Sequence, residues 1–237
     1  MSVDDFDIAS LADYLHVEQN QVLRLVERGR LPGRRVAGAW RFSAAEIHHW
    51  LEQRMGLSTD EELARMEGAL RRAAGSPEQA ALSIAGLMPI EAIAVPLDAR
   101  TRSSVITSIC ALAGGTGWLW DAARMADAVR TREDLYPTAL ENGVALLHPR
   151  RPLASILGQP LVALGRTAGG IPFGGPRGTL TDLFFLVCSV DDRGHLHTLA
   201  RLSRLLADPT LLGELRAGAT AAELHRAIAE HEAALSG

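Results

Sequence analysis

Residues 142–148 read Asn142-Gly143-Val144-Ala145-Leu146-Leu147-His148, a turn-forming pair, then four apolar residues, then a histidine. Asn-Gly favours a sharp reversal, and the apolar run behind it predicts a buried strand that delivers His148 to one edge of a sheet. Apolar runs at Leu161 to Leu164 and Leu183 to Val190 predict two more strands, the second interrupted by Ser189. Around them the period becomes helical. Arg100 to Ala113 and Leu119 to Arg130 precede the strands or flank them. His195 to Leu206, Pro209 to Arg216 and Ala221 to Ala234 follow, the last with Thr220 as its N-cap. Helices and strands in this order imply a sheet layered with helices, an α/β or α+β class.

The chain has 237 residues, of which 47% are apolar and 22% charged, enough for one large domain or a medium and a small one. All 24 basic residues are arginine. Schiff-base chemistry, a P-loop lysine and a lysine general base are therefore excluded. A net charge of −4 argues against coating nucleic acid with the whole surface and leaves room for a local basic patch. The acidic start, Met1 to Asp7, lacks the pattern of a signal peptide, and no apolar run approaches the roughly 20 residues that span a bilayer. A cytoplasmic protein without membrane insertion is expected. Cys110 and Cys188 lie in apolar segments without zinc-site spacing, which predicts reduced core thiols and no metal.

The basic patch is at residues 20–41, where Arg24, Arg28, Arg30, Arg34, Arg35 and Arg41 face one acid, Glu27. Ile8, Leu11, Ala12 and Leu15 recur at helical spacing. Val22, Leu25 and Val26 predict a second helix, with polar capping groups before it and Gly29 ending it. Arg34 to Phe42 reads as a hairpin, and Ser43 with Glu46 as a capping box for a third helix carrying Ile47, Trp50 and Leu51. Trp40 and Trp50 are expected to anchor the small core, and His16, His48 and His49 to lie on the surface. Leu57 to Ala74 predicts a helical connector, either an amphipathic strut or a dimerisation helix.

Two short helices, a basic hairpin and a third helix form the layout of a winged helix-turn-helix. The elements Leu31-Pro32, Arg35-Val36 with Gly38 and Trp40-Arg41-Phe42, and Glu46-Ile47 with Trp50-Leu51 resemble the excisionase-type, MerR-like DNA-binding domain. Gln19, Asn20 and Arg24 lie on the polar face of the second helix, as base-reading groups would, and Arg34, Arg35 and Arg41 would grip phosphates.

The second part carries Arg132-Glu133-Asp134-Leu135, Pro137-Thr138, the strand ending at His148, Gly170-Ile171-Pro172-Phe173, and His195-Leu196-His197-Thr198-Leu199. Together these resemble the enzyme IIA domain of the phosphotransferase system, of the mannitol/fructose and nitrogen-regulatory type. The resemblance implies a mixed β-sheet flanked by helices, phosphorylation of His148, support from His195 and Arg132, and no cofactor. Thr138 and Asn142 are candidate neutral donors to phosphate. His197, about 200° around a helix from His195, is expected to be structural or on the surface. The chain has Leu147-His148-Pro149 followed by Arg150-Arg151 where the family pattern is Pro-His-Gly. That exchange removes a backbone donor beside the histidine and adds two charges.

The expected organisation is a winged helix-turn-helix domain at 1–55, a helical linker at 56–85 and a IIA-type domain at 86–237. The expected function is a transcriptional regulator that binds DNA and takes phosphate from an HPr-like phosphocarrier protein. A IIB-type or other regulatory protein is a further possible partner, and a homodimer a possible assembly. The alternatives are a component relaying phosphate to a sugar transporter subunit and a phosphate-independent adaptor.

Overall fold

The computed structural model describes residues 5–15, 17–43, 46–47, 50–51, 68 and 83–236. The chain divides into two compact units, Met1–Ala80 and Ala81–Gly237. Most of the expected linker at 56–85 lies outside the described residues, as do His16, His48 and His49.

The first unit contains β1 (Asp5–Phe6), α1 (Ile8–Leu15), α2 (Gln19–Glu27), β2 (Arg34–Val36) and β3 (Ala39–Ser43). Its sheet has the order β1-β3-β2, with both pairs antiparallel. β1 is too short to show periodicity in the sequence. α1 starts with a reciprocal cap, in which Ser10 N–H donates to Asp7 Oδ1 (2.8 Å) and Asp7 N–H donates to Ser10 Oγ (2.9 Å). α2 has no such cap, because Glu18 at its N-cap accepts no side-chain bond, contrary to the expectation of polar capping groups there. Gly29 follows its end at φ +64°. The hairpin turns on Ala37 and Gly38, both left-handed, which matches the twist of the strands they join. Of the third helix, Glu46, Ile47, Trp50 and Leu51 are described, and all are helical. Leu11, Val22, Val26, Leu31, Phe42, Ile47 and Leu51 form the core. Trp40 and Trp50 are only half-buried, which corrects their reading as core anchors. The Trp50 indole N–H instead donates to the Arg30 carbonyl at 2.6 Å.

The second unit contains β4 (Ile93–Ala94), α3 (Arg102–Gly115), α4 (Ala122–Leu135), β5 (Val144–Leu147), β6 (Leu161–Pro172) and β7 (Leu180–Cys188). It continues with α5 (Asp192–Leu205), α6 (Pro209–Ala217) and α7 (Ala221–Ser236). One mixed sheet has the order β4-β6-β7-β5: β4 runs parallel to β6, β6 antiparallel to β7, and β7 parallel to β5. Phe184, Leu186 and Cys188 join the core formed with α3 and α4, while Leu183, Phe185 and Val187 are equally buried on the other face of β7. Both faces are therefore covered, as parallel pairing requires. β6 runs eight residues past the expected end at Leu164, because Gly165, Gly169 and Gly170 weaken its strand signal. A Cβ at Gly165 would lie 2.6 Å from Leu97 Cδ2, so the close approach requires glycine. α3 and α4 begin later than expected, at the caps Thr101 and Asp121. Both cysteines are free and buried, and burial pushes the Cys110 thiol up to about 12. No helix among the described residues is long and apolar enough to cross a membrane.

A buried carboxylate ties the start of this unit to its last helix. Glu232 on α7 accepts from Ser83 Oγ (2.7 Å), Ile84 N–H (2.7 Å), Ala85 N–H (3.0 Å) and the Arg201 guanidinium of α5. Burial alone would raise its pKa. The bonds from Arg201, the two amides and Ser83 outweigh burial and hold the carboxyl below its ordinary value of 4.5. A depressed carboxyl contributes stability above its unfolded pKa and loses it as pH falls through the folded value. Glu232→Ala, which removes the acceptor shared by Arg201, Ser83 and the amides of Ile84 and Ala85, is expected to lower unfolding stability by about 3–5 kcal/mol at pH 7. Denaturant titrations should also show a flatter loss of stability than wild type as pH drops below 4.5.

Candidate active site and candidate nucleic-acid interface

The turn before β5 is held in place. Gly143 has φ +82°, a conformation that favours glycine, and a Cβ there would lie 2.8 Å from Arg216 Nη2. Arg216 makes a two-point pair with Asp182 (2.8 and 2.9 Å) and donates to the Asn142 carbonyl at 2.7 Å. This joins the Asn-Gly turn to the start of β7. In the parallel register that follows, Val144 stands opposite Leu183 and Leu147 opposite Leu186. Both strands therefore end at the same edge of the sheet, and His148 emerges there.

His148 is 3% exposed, and its Nδ1 lies 2.8 Å from the Leu146 carbonyl oxygen. A carbonyl only accepts, so this bond places a proton on Nδ1 and, in the neutral ring, the lone pair on Nε2. Past the end of β7, Asp191 caps α5 by accepting from Gly194 N–H at 2.8 Å. That cap orients the first turn of α5, which carries His195. The His195 ring is buried and lies 5.1 Å from that of His148, centroid to centroid, with planes tilted 58°. Its Nδ1 is 3.2 Å from Ser189 Oγ. His197 is buried on α5, consistent with a structural place and not a surface one.

Arg132 is buried in the last turn of α4 and donates from Nη1 to the Tyr136 carbonyl at 2.7 Å. Its neighbour Glu133 accepts the Thr138 N–H at 3.2 Å and the Thr138 hydroxyl, with Arg102 Nη2 3.5 Å away. The Arg-Glu pair thus fastens the 136–138 loop to the end of α4. The Thr138 carbonyl in turn accepts Leu146 N–H at 3.4 Å, which connects that loop to β5. The single hydroxyl proton of Thr138 is committed to Glu133. Asn142 donates to the Leu206 carbonyl (3.0 Å) and accepts from Val144 N–H (3.3 Å). Both residues, read from sequence as phosphate donors, hold the backbone around β5 in this structure. Pro149 is buried, and Arg150 and Arg151 are exposed. Among the described residues no group of three His, Cys, Asp or Glu side chains could hold a metal ion.

Two residues at this site escaped the sequence reading. Glu133 was visible inside the Arg-Glu motif but carried no assigned role. Ser189 looked like an interruption of an apolar strand. The available signal was its position, a small polar residue between a buried strand and a helix whose first turn holds a histidine.

In the first unit, Gln19, Asn20 and Arg24 are exposed on α2, and Arg24 Nε donates to the Asn20 carbonyl at 3.2 Å. The hairpin distributes its arginines by register. Arg34 stands opposite Arg41, and Arg35 stands opposite Trp40, with its guanidinium 5.1 Å from the ring centroid. Because successive residues alternate faces, Arg34 and Arg41 share one face and Arg35 lies on the other.

Residues 87–231 match the family described as "Phosphoenolpyruvate-dependent sugar phosphotransferase system, EIIA 2", and residues 6–55 match a helix-turn-helix domain family. The chain is 30% identical over 151 residues to a "Nitrogen regulatory protein" of Bradyrhizobium diazoefficiens, a match covering 62% of this chain and 95% of that one. Among solved structures, it resembles the nitrogen regulatory protein IIA-Ntr of Neisseria meningitidis with a TM-score of 0.55 and 22% identity, over 61% of this chain and 98% of that chain. It also resembles IIA mannitol of Escherichia coli with a TM-score of 0.52 and 18% identity, over 59% and 97%. At these identities the structural likenesses establish the fold.

Removing the carboxylate of Glu133 is expected to release the 136–138 loop. Glu133→Ala leaves the Thr138 N–H without its acceptor and should cost about 1–3 kcal/mol in denaturant unfolding. Burial raises the Glu133 carboxyl above its ordinary 4.5, against the opposing bonds from Thr138 and the charges of Arg102 and Arg132. A raised carboxyl pKa means that stability is lost as pH rises through the folded value. Glu133→Gln keeps an acceptor and should remove that part of the pH dependence above 4.5.

Proposed function

We propose, because the chain belongs to the EIIA 2 family of the phosphoenolpyruvate-dependent sugar phosphotransferase system and carries a helix-turn-helix domain at residues 6–55, that it is a DNA-binding regulator controlled by phosphorylation of His148. The observation that carries this reading is the Leu146 carbonyl on His148 Nδ1 at 2.8 Å, which puts the nucleophilic lone pair on Nε2 beside a second histidine ring. The Nε2 lone pair attacks the phosphorus of a phosphohistidine on an HPr-like carrier. The new N–P bond forms as the carrier's N–P bond breaks, and the carrier nitrogen keeps the electron pair. The proton stays on Nδ1, which donates it in a hydrogen bond to the Leu146 carbonyl, and that bond stabilises the positive charge that develops on the ring.

His195 and Arg132 are the proposed donors to the phosphoryl oxygens. Transfer of this kind asks mainly for positioning and charge stabilisation, and it needs no cofactor here. Pro149 stands where the family pattern has a glycine amide, and the exposed Arg150 and Arg151 that follow it add positive charge beside the histidine. In the first unit, Gln19, Asn20 and Arg24 are the proposed base-reading groups. Arg34, Arg35 and Arg41 are the proposed phosphate contacts, of which the Arg34–Arg41 face is the better suited to a single phosphate.

Incubating the chain with enzyme I, an HPr-like carrier and phosphoenolpyruvate should give acid-labile phosphate at His148, and none in His148→Ala. Phosphate adds roughly −1.5 to −2 charge. The phosphorylated chain and unphosphorylated chain should therefore differ in DNA affinity across a salt series, while His148→Ala does not respond to the carrier. Unlabelled His148 would eliminate both the regulator mechanism and a relay to a IIB-type subunit. Labelling without any change in DNA binding would favour the relay.

A further inference from the structure

We infer that Ser189 is a positioning residue that sets the tautomer of His195, an inference that rests on the reading of His148 as phosphoacceptor for its consequence in phosphoryl transfer. The two histidines are each held through Nδ1 by a group from the end of one of two parallel strands. For His148 the group is the Leu146 carbonyl of β5 at 2.8 Å, and for His195 it is the Ser189 hydroxyl just past β7 at 3.2 Å. The difference between a carbonyl and a hydroxyl decides what each ring can do.

A neutral imidazole carries one N–H and one lone pair. The carbonyl at His148 can only accept, so it fixes the proton on Nδ1 and makes Nε2 a nucleophile. A hydroxyl can donate as well as accept. When the Ser189 O–H donates to His195 Nδ1, the ring proton sits on Nε2, and neutral His195 becomes a donor at that atom. A carbonyl in the same place would have forced the opposite tautomer, with a second lone pair on Nε2 that repels phosphoryl oxygens unless the ring takes up a proton. Ser189 thus gives the pair complementary roles, one ring attacking and one ring donating, without a charged imidazole.

The geometry around Ser189 suits a fixed role. Ser189 is 3% exposed, and its burial keeps water from competing for the Nδ1 position. The His195 backbone is held independently, since its N–H donates to the Asp191 carbonyl at 3.1 Å and Asp191 caps the helix through Gly194. Loss of the Ser189 hydroxyl is therefore expected to change the ring's proton arrangement while α5 keeps its place.

The test uses the full chain with ¹⁵N-labelled histidine. In wild type, His195 is expected to be protonated on Nε2 and hydrogen-bonded at an unprotonated Nδ1. Ser189→Ala should shift it to a mixture of tautomers and slow phosphoryl transfer to His148 by about tenfold. Ser189→Thr, which keeps the hydroxyl, should restore both. Wild-type His195 protonated on Nδ1, or a tautomer unchanged in Ser189→Ala, overturns the inference. A tautomer that depends on Ser189 in a chain that takes no phosphate at His148 supports the positioning role and overturns the phosphoacceptor reading.

Discussion

The parallel pairing of β5 with β7 is the constraint on which the histidine site depends. Its register sets Leu147 against Leu186, two residues before β7 ends at Cys188, so the residues that follow both strands emerge at the same end of the sheet. The carboxyl ends of neighbouring parallel strands are where open α/β sheets place ligands, because the loops leaving them diverge and open a crevice. Here one strand delivers His148 directly, and the other delivers Ser189 and then the helix start that carries His195. A shift of one residue would reverse every side chain on β5 between the two covered faces. With Val144 through Leu147 all buried, such a shift would gain nothing.

Charged groups fasten the chain around that pair and at other element ends of the unit. Arg216 ties the Asn142 carbonyl, just before β5, to Asp182 near the start of β7. Glu133 secures the loop whose Thr138 carbonyl bonds to β5, and Arg166 donates to the carbonyls of Leu215, Arg216 and Gly218 at the end of α6. Glu232 does the same for the turn at residues 83–86. In each case a side chain satisfies backbone groups at an element end that would otherwise be buried without partners. Buried ion pairs gain little net stability from Coulomb attraction alone, so their value here is in completing hydrogen bonds at chosen places.

The first unit uses its charges differently. Its arginines lie on the α2 surface and on the hairpin, where the turn at Ala37 and Gly38 sets which of them share a face. Arg35 lies over Trp40, a contact that orders a long side chain and accounts for the half-burial of the tryptophan. The net charge of −4 for the whole chain conceals this arrangement, since it averages a basic patch at residues 20–41 with an acidic remainder.

Apolar periodicity and turn pairs were enough to identify the class, the hairpin and the helix-turn-helix, because those signals are local in the chain, while the mixed sheet came only from the resemblance to the IIA domain. The same local reading placed His148 at the end of its strand and His195 at the start of a helix. It missed β1 and the glycine-rich half of β6, where strand formation comes from a partner and not from propensity. It also favoured the tryptophans over Phe42 and Ile47 as anchors, since size alone does not say which ring faces inward. The hydrogen-bond partners of Thr138, Asn142, Glu133 and Ser189 were not legible at all. They depend on which groups packing and register bring within reach, even where, as for Glu133 and Thr138, only five positions separate the partners. From the sequence alone came the two modules and the chemical groups they carry. Only the tertiary structure decided what meets Nδ1 of each histidine, a carbonyl at His148 and a hydroxyl at His195, because that depends on which strand-end group comes within hydrogen-bonding distance of the ring.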